Sequence, residues 1–296
     1  MSRSRRIAWI AACVAVCLAA AGAVWKWRES SAFFDTRALL SRFPAEDGTV
    51  VRVDFALLRK AGLLGEAKAP LEPEYQEFVQ GTGFNYRTDL NLLIASASAG
   101  GTYFIAGGRF DWDKLKAYAA RHGGSCFENL CRAEGSVPER HISFLKLRSD
   151  AIALAVAKDD LAVARLANQG TPVTGVIPEG PAWISVPGAW LRQGGFVPAG
   201  LKVALSGLLH ADRVVVRIAG GQGGSNPEAL LEATCRTARD ADLLTSQLRL
   251  AAEGLKGGTD ELGKALAAGV FSVSGSTVTG RWPVRREMLE TLTAGI

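Results

Sequence analysis

Leu90-Asn-Leu-Leu-Ile-Ala-Ser-Ala-Ser98, Ala99-Gly100-Gly101 and Thr102-Tyr-Phe-Ile-Ala-Gly-Gly-Arg-Phe110 lead directly into Asp111-Trp-Asp-Lys-Leu-Lys-Ala-Tyr-Ala-Ala-Arg121. Two apolar strands are joined around Gly100-Gly101, a pair suited to the positive φ of a hairpin turn. Asp111 is placed to cap the helix that follows, with Asp113 favourable in its first turn. The unit is strand, turn, strand, helix. It recurs at His141–Ala167, where His141–Leu147 and Ala151–Lys158 flank Arg148-Ser149-Asp150 and Asp159-Asp160 lead a short helix. In Ala151–Lys158 the large residues Ile152, Leu154 and Val156 share one face and alanines line the other, so a helix is expected to approach closely there.

Outward from this unit, Thr49–Phe55 alternates as a strand, followed by a short helix over Ala56–Leu64. Phe33–Phe43 and Glu74–Gly81 also read as helices. Asn168–Gly180 is rich in Gly, Pro and Thr and marks the best domain boundary. Beyond it come a strand at Ala182–Pro187, a helical turn near Ala189–Gln193 and an alternating strand at Ala211–Ala219. The spacing then predicts a long helix from Pro227 to about Leu255, with Asn226 as cap. A third hairpin is expected at Val270–Ser274 and Thr277–Val284, and a terminal helix from Arg285. The fold class is α+β: mainly antiparallel sheets with helices packed on one side. Both halves open with a strand and short helix and close with a hairpin and helix, an order compatible with two diverged α+β repeats. The domain reading is 1–28 as an N-terminal signal-anchor segment, 29–48 as a membrane-proximal linker, and 49–175 and 176–296 as two lobes.

The anchor is read from nineteen uncharged residues, Ile7–Trp25, after Arg3, Arg5 and Arg6. As a helix they span roughly 28 Å, about one hydrocarbon core. The cationic flank is expected to stay cytoplasmic and the body to lie outside. A cleaved signal peptide, with Ala21-Gly22-Ala23 as its site, and a lipoprotein signal ending at Cys13 are the competing readings. The net charge of +5 comes from 34 Lys+Arg against 29 Asp+Glu. Residues 1–28 hold five of the cations and no acid, so the remainder carries 29 of each sign. A neutral body argues against nucleic acid as a partner.

Cys126-Phe-Glu-Asn-Leu-Cys131 looks like two short extended pieces around a turn, a spacing that lets the thiols meet in an exported domain. Two half-buried thiols are the alternative. Cys235 is placed on the apolar face of the long helix, as a buried structural thiol.

Three stretches, Thr82-Gly-Phe-Asn-Tyr-Arg-Thr-Asp-Leu90, Gly108-Arg-Phe-Asp-Trp-Asp-Lys-Leu115 and the Ile142–Asp159 double strand, resemble membrane-anchored hypothetical proteins of bacteria. That family has no assigned activity. The resemblance implies location and architecture and transfers no site.

Chemistry-bearing patterns are sparse. Gly258-Thr-Asp-Glu-Leu-Gly263-Lys264-Ala265 lacks the hydroxyl a P-loop needs after its lysine. Gly221-Gln-Gly223 has Asn226 where a dinucleotide fingerprint has its third glycine. Ser143-Phe-Leu-Lys146 spaces its groups onto opposite faces of a strand. His122, His141 and His210 lack metal-ligand spacing. Asp111 with Asp113 and Asp159 with Asp160 read as helix caps. No catalytic, cofactor-binding or metal-ligating residue and no cofactor is assigned. Trp183 and Trp190 are the candidate interaction surface. The function expected is that of a membrane-tethered, extracytoplasmic interaction or scaffold domain, bound to the bilayer through Ile7–Trp25 and to a protein of the bacterial cell envelope. The alternatives are a hydrolase whose site assembles in space around His141 or His210, and a carrier with an enclosed apolar cavity.

Overall fold

Strand alternation sorts the central hairpin into two faces. In β2 (Leu90–Ser98) and β3 (Gly101–Gly108), Ile94 stands opposite Ile105 and Ser96 opposite Tyr103, all four buried on one face. The turn lies one residue earlier than expected, since Ser98 pairs with Gly101. Gly101 takes φ +143°, and a Cβ there would meet that of Ala157 at 2.8 Å. Only glycine fits both constraints.

The structure, a computed structural model, describes residues 33–284 apart from 45–47, 65–72, 136–139, 169, 171, 174, 193–205, 221–226, 257–263 and 265. The anchor segment Ile7–Trp25, the helix expected from Arg285, Asn226 and Gly221-Gln-Gly223 lie outside these. Among the described residues no helix is long and apolar enough to cross a membrane.

Twelve strands form one sheet, in the order β11-β12-β10-β9-β8-β1-β2-β3-β7-β6-β5-β4. Every ladder is antiparallel. The strands are β1 (Thr49–Asp54), β4 (Ser125–Phe127), β5 (Leu130–Glu134), β6 (His141–Arg148), β7 (Ala151–Ala157), β8 (Ala182–Pro187), β9 (Ala211–Ala219), β10 (Glu228–Cys235), β11 (Val270–Ser274) and β12 (Thr277–Pro283), besides β2 and β3. The boundary over Asn168–Gly180 does not separate two sheets. β1 pairs with β8 through Val50–Ser185 and Val51–Ile184, so the ladder continues across it. β1 to β7 occupy one half and β8 to β12 the other. From the centre outward, β1-β2-β3-β7-β6 mirrors β8-β9-β10-β12-β11, and the hairpin β4–β5 is extra.

The helices are α1 (Thr36–Leu40), α2 (Phe55–Lys60), α3 (Pro73–Thr82), α4 (Tyr86–Asp89), α5 (Trp112–Arg121), α6 (Gly188–Arg192) and α7 (Ala238–Leu255). The expectation of one helical side is too simple. α5 and α7 lie on the same face. α7 packs Leu244 and Leu248 against Val214, Leu231 and Val278, and α5 packs Leu115 and Ala119 against Phe144. The opposite face, over the first half only, is covered by α1 and a 3₁₀ turn, Ala162–Leu166. There Leu39, Val163 and Leu166 pack on Ile94, Tyr103, Ile105 and the alanines of β7. Ala151, Ala153, Ala155 and Ala157 are all buried. Their small size admits the 3₁₀ turn, whose Val163 N–H donates to the buried Ser143 Oγ at 3.2 Å.

The largest error of the sequence reading is at Pro227–Leu255. Glu228–Cys235 is strand β10, not helix, and α7 begins only at Ala238. Glu, Ala and Leu favour helix locally, but β9 and β12 offer ladders on both sides, and tertiary pairing overrides propensity. Ala229, Leu231, Ala233 and Cys235 alternate onto the α7 face. Cys235 is buried as expected, at a strand end rather than on a helix. Thr237 caps α7, accepting from the Asp240 N–H at 3.1 Å.

Candidate functional site

Over β8 to β12, the face opposite α7 has no helix on it among the described residues. Registered pairs lay its side chains in rows. One row runs Arg52, Trp183, Arg217, Leu230, Arg281, Val270. The next runs Ser96, Val50, Ser185, Val215, Glu232, Thr279, Ser272. Arg213 and Thr234 begin a third. These floor an open trough of about 1320 Å³. Its wall is mostly apolar: Leu40 at the end of α1 and Phe43 just beyond it, then Pro172, Val173, Val176, Ile177 and Pro178, with Glu179 at its foot.

Backbone-directed arginines hold the wall. Arg37 donates to the carbonyls of Val173 and Gly175, and Arg42 to those of Leu166 and Ala167, the last at 2.7 Å. Burial pushes the Arg42 guanidinium down from its ordinary pKa, though it stays charged at neutral pH. The Gly170 N–H meets the Ser41 carbonyl at 2.7 Å. At the base, Arg52 donates to Thr36 Oγ1 and the Gly180 carbonyl, each at 3.1 Å, and lies 3.4 Å from Asp54.

Arg213 donates to Ser185 Oγ at 2.9 Å. Arg281 lies 3.6 Å from Glu228, a solvent-exposed pair that contributes little. Arg217 is half-buried and has no ion-pair or hydrogen-bond partner among the described residues. Beside it Trp183 is 4 % exposed, and its Nε1 has no acceptor among the described residues. A buried indole N–H ordinarily finds one.

Trp183 and Trp190 do not make one surface. Trp183 sits on the trough floor, whereas Trp190, on α6, packs on the core of the α7 face. Sequence reasoning read Ala211–Ala219 only as an alternating strand and did not single out Arg213 and Arg217. Their alternation with Val214, Val216 and Ile218 was visible, but which side remained uncovered was not.

The other sequence candidates resolve into local chemistry. Asp111 caps α5, accepting from the Lys114 N–H at 3.1 Å, and Asp113 pairs with Lys116 at 2.8 Å, which lowers the Asp113 pKa. Asp159 and Asp160 do not cap the short turn as expected: its N-cap position is Leu161, Asp159 accepts from the Leu161 N–H at 3.0 Å, and Asp160 pairs with Arg132 at 2.8 Å. Ser143 and Lys146 face opposite sides of β6. His122 ends α5 beside Tyr118, 3.5 Å from Glu77. His141 opens β6 and His210 precedes β9, six strand positions apart, or roughly 29 Å at the usual strand spacing. Neither has a Ser or Asp partner among the described residues. No group of three or more His, Cys, Asp or Glu gathers among them either. Gly258–Gly263 and Ala265 lie outside them.

Cys126 and Cys131 form a disulfide. They stand directly opposite across the β4–β5 ladder with Cα atoms 4.0 Å apart. Cys131 is buried beside Leu115, Ala119 and Phe144 under α5, while Phe127 at the hairpin tip is 77 % exposed.

Neither a family model nor a curated protein sequence matches the chain. Among solved structures it is similar to crystal form I of TP0453, with TM-score 0.48 and 10 % identity over 88 % of this chain and 98 % of that one. Crystal form III gives TM-score 0.48 and 10 % identity over 88 % and 99 %, and form IV 0.45 and 9 % over 87 % and 96 %. A likeness this distant transfers neither ligand nor activity.

Proposed function

We propose that this chain is a non-enzymatic interaction domain, tethered to the bacterial cytoplasmic membrane by Ile7–Trp25 with its body outside the cytoplasm. Its partner, a protein of the cell envelope, docks on the open face of β8 to β12. The observation that carries the reading is the trough: a five-strand face with arginines on its floor and an apolar wall, bare of helix among the described residues. The space is open and mixed in lining, which suits a protein surface better than an enclosed apolar ligand. Three basic residues before an apolar stretch of bilayer length support the orientation, and the disulfide suits an oxidising compartment. The matched strand order supports reading 49–175 and 176–296 as diverged copies of one unit.

Site-specific photocrosslinking in native membranes tests the docking face. A photoreactive residue at Val270, on the trough rim and 70 % exposed, or at Val176, on the wall and 98 % exposed, is expected to capture a partner. The same residue at Leu250 on α7, 73 % exposed, is not. Equal capture at all three positions, or none at the trough, overturns the reading.

A further inference from the structure

The trough carries two different recognition surfaces, which together restrict what fits it. On the floor, Arg217 has no partner among the described residues, and the unsatisfied Nε1 of Trp183 lies in the registered position across the β8–β9 ladder. Opposed residues place their Cβ atoms about 5 Å apart. Arg213 lies four residues along the same strand face, about 13 Å away. The wall, by contrast, is hydrocarbon: Leu40, Phe43 and a nearly fully exposed Val176.

We propose that the trough receives an acidic amphipathic helix from the partner protein. This rests on the interaction reading above and names the chemistry of its partner. Acidic side chains two turns apart on a helix, at i and i+7 or i+8, are separated by about 10–12 Å along its axis, which suits Arg213 and Arg217. Its apolar stripe lies against Leu40, Phe43 and Val176. A cylinder about 10 Å across with the trough's volume is roughly 17 Å long, or about three helical turns. The Trp183 N–H gains an acceptor from the carboxylate paired with Arg217, with a small displacement of the side chains that bury it. An acyl chain fits worse, because it would cover Arg217, Glu232 and the Trp183 N–H without offering any of them a partner. A nucleic acid fits worse, because its evenly spaced phosphates would meet Glu232 and Glu179 among the arginines, whereas a helix can set uncharged side chains against those two carboxylates.

The test uses the full chain in detergent micelles. The probe is a fluorescent synthetic helix of about 14 residues, with Leu at i, i+3, i+4 and i+7 and Glu on the flanking positions. Fluorescence anisotropy is expected to show saturable binding that weakens as salt rises. Arg217→Glu should weaken it about tenfold or more, and Arg213→Glu further. Trp183→Phe, which keeps the ring and removes the donor, and Val176→Asp should also weaken it. Leu250→Asp, on the opposite face, should leave it unchanged. Thermal melts of each variant separate lost docking from lost fold, and Arg217→Gln is the milder check. A peptide with Lys replacing Glu should fail to bind. Equal binding of the Lys peptide, or an unchanged dissociation constant in a folded Arg217→Glu protein, overturns the proposal. So does binding of phosphatidylglycerol vesicles or a second copy of the chain at this face while the acidic peptide fails. Partner capture at Val270 without acidic-helix binding leaves the interaction reading standing and sinks this one.

Discussion

Reducing the Cys126–Cys131 bond is a perturbation whose size follows from its place in the chain. The two residues are separated by 5 positions. Chain-entropy loss in the unfolded state for so short a loop is about 7 cal/mol/K, which at 25 °C gives about 2 kcal/mol. Reduction leaves every side chain in place, so no cavity term is added at the buried Cys131. For a domain of this size, 2 kcal/mol lowers the melting temperature by roughly 4–8 °C. The bond ties the extra hairpin β4–β5, at the end of the sheet, and joins no distant elements. The loss should therefore appear as local opening first. Urea unfolding of oxidised and reduced protein measures the total, and amide hydrogen exchange locates it. Protection should fall in β4 and β5 and hold in β9, β10 and α7. Equal stability within about 0.5 kcal/mol would show that the unfolded hairpin is already compact without the bond. Collapse of protection across the whole sheet would refute the local reading.

Further expectations follow from burial and charge. Burial by itself pushes the Asp89 carboxyl up, but the Asn85 N–H and Arg109 outweigh it and hold its pKa below the ordinary value. The resulting stabilisation is present above about pH 4 and lost as pH falls through the lower folded value, so Asp89→Asn should cost about 1 kcal/mol or less at neutral pH, its partner Arg109 being largely exposed, and progressively less in acid urea melts. Burial, with Asp240 and Asp212 nearby, pushes the Cys235 thiol up, so a thiol reagent at neutral pH should label it only in denaturant. Leu244→Ala, at a fully buried position under the sheet, should cost about 2–5 kcal/mol in urea, whereas Leu250→Ala should stay within about 0.5 kcal/mol. Reporter fusions after residue 60 should be active only outside the cytoplasm, and activity confined to the cytoplasm would reverse the proposed orientation.

The long helix that the sequence suggested and the structure divided shows where one-dimensional reading fails. Thr237 and Asp240 carried an N-terminal signal, but the apolar run before them looked like more of the same helix. Strand β10 exists because β9 and β12 flank it, and neither neighbour can be read from residues 228–235. Where one side chain decides, the sequence was enough. Asp111 caps α5, and Cys126 and Cys131 are close enough in the chain that one turn brings them together.

Sequence by itself determined the α+β class, the hairpins at 90–108, 141–157 and 270–283, the cap at Asp111 and the nearness of Cys126 to Cys131, because alternation, turn residues and short-range geometry act over a few residues. Tertiary structure alone decided that two halves join through β1 and β8 into one sheet, and that helices cover opposite faces unevenly. The trough is a product of those two decisions. Trp183, Arg217 and Leu40 come from three separate segments and meet only because strand order and helix placement leave one face of β8 to β12 bare among the described residues.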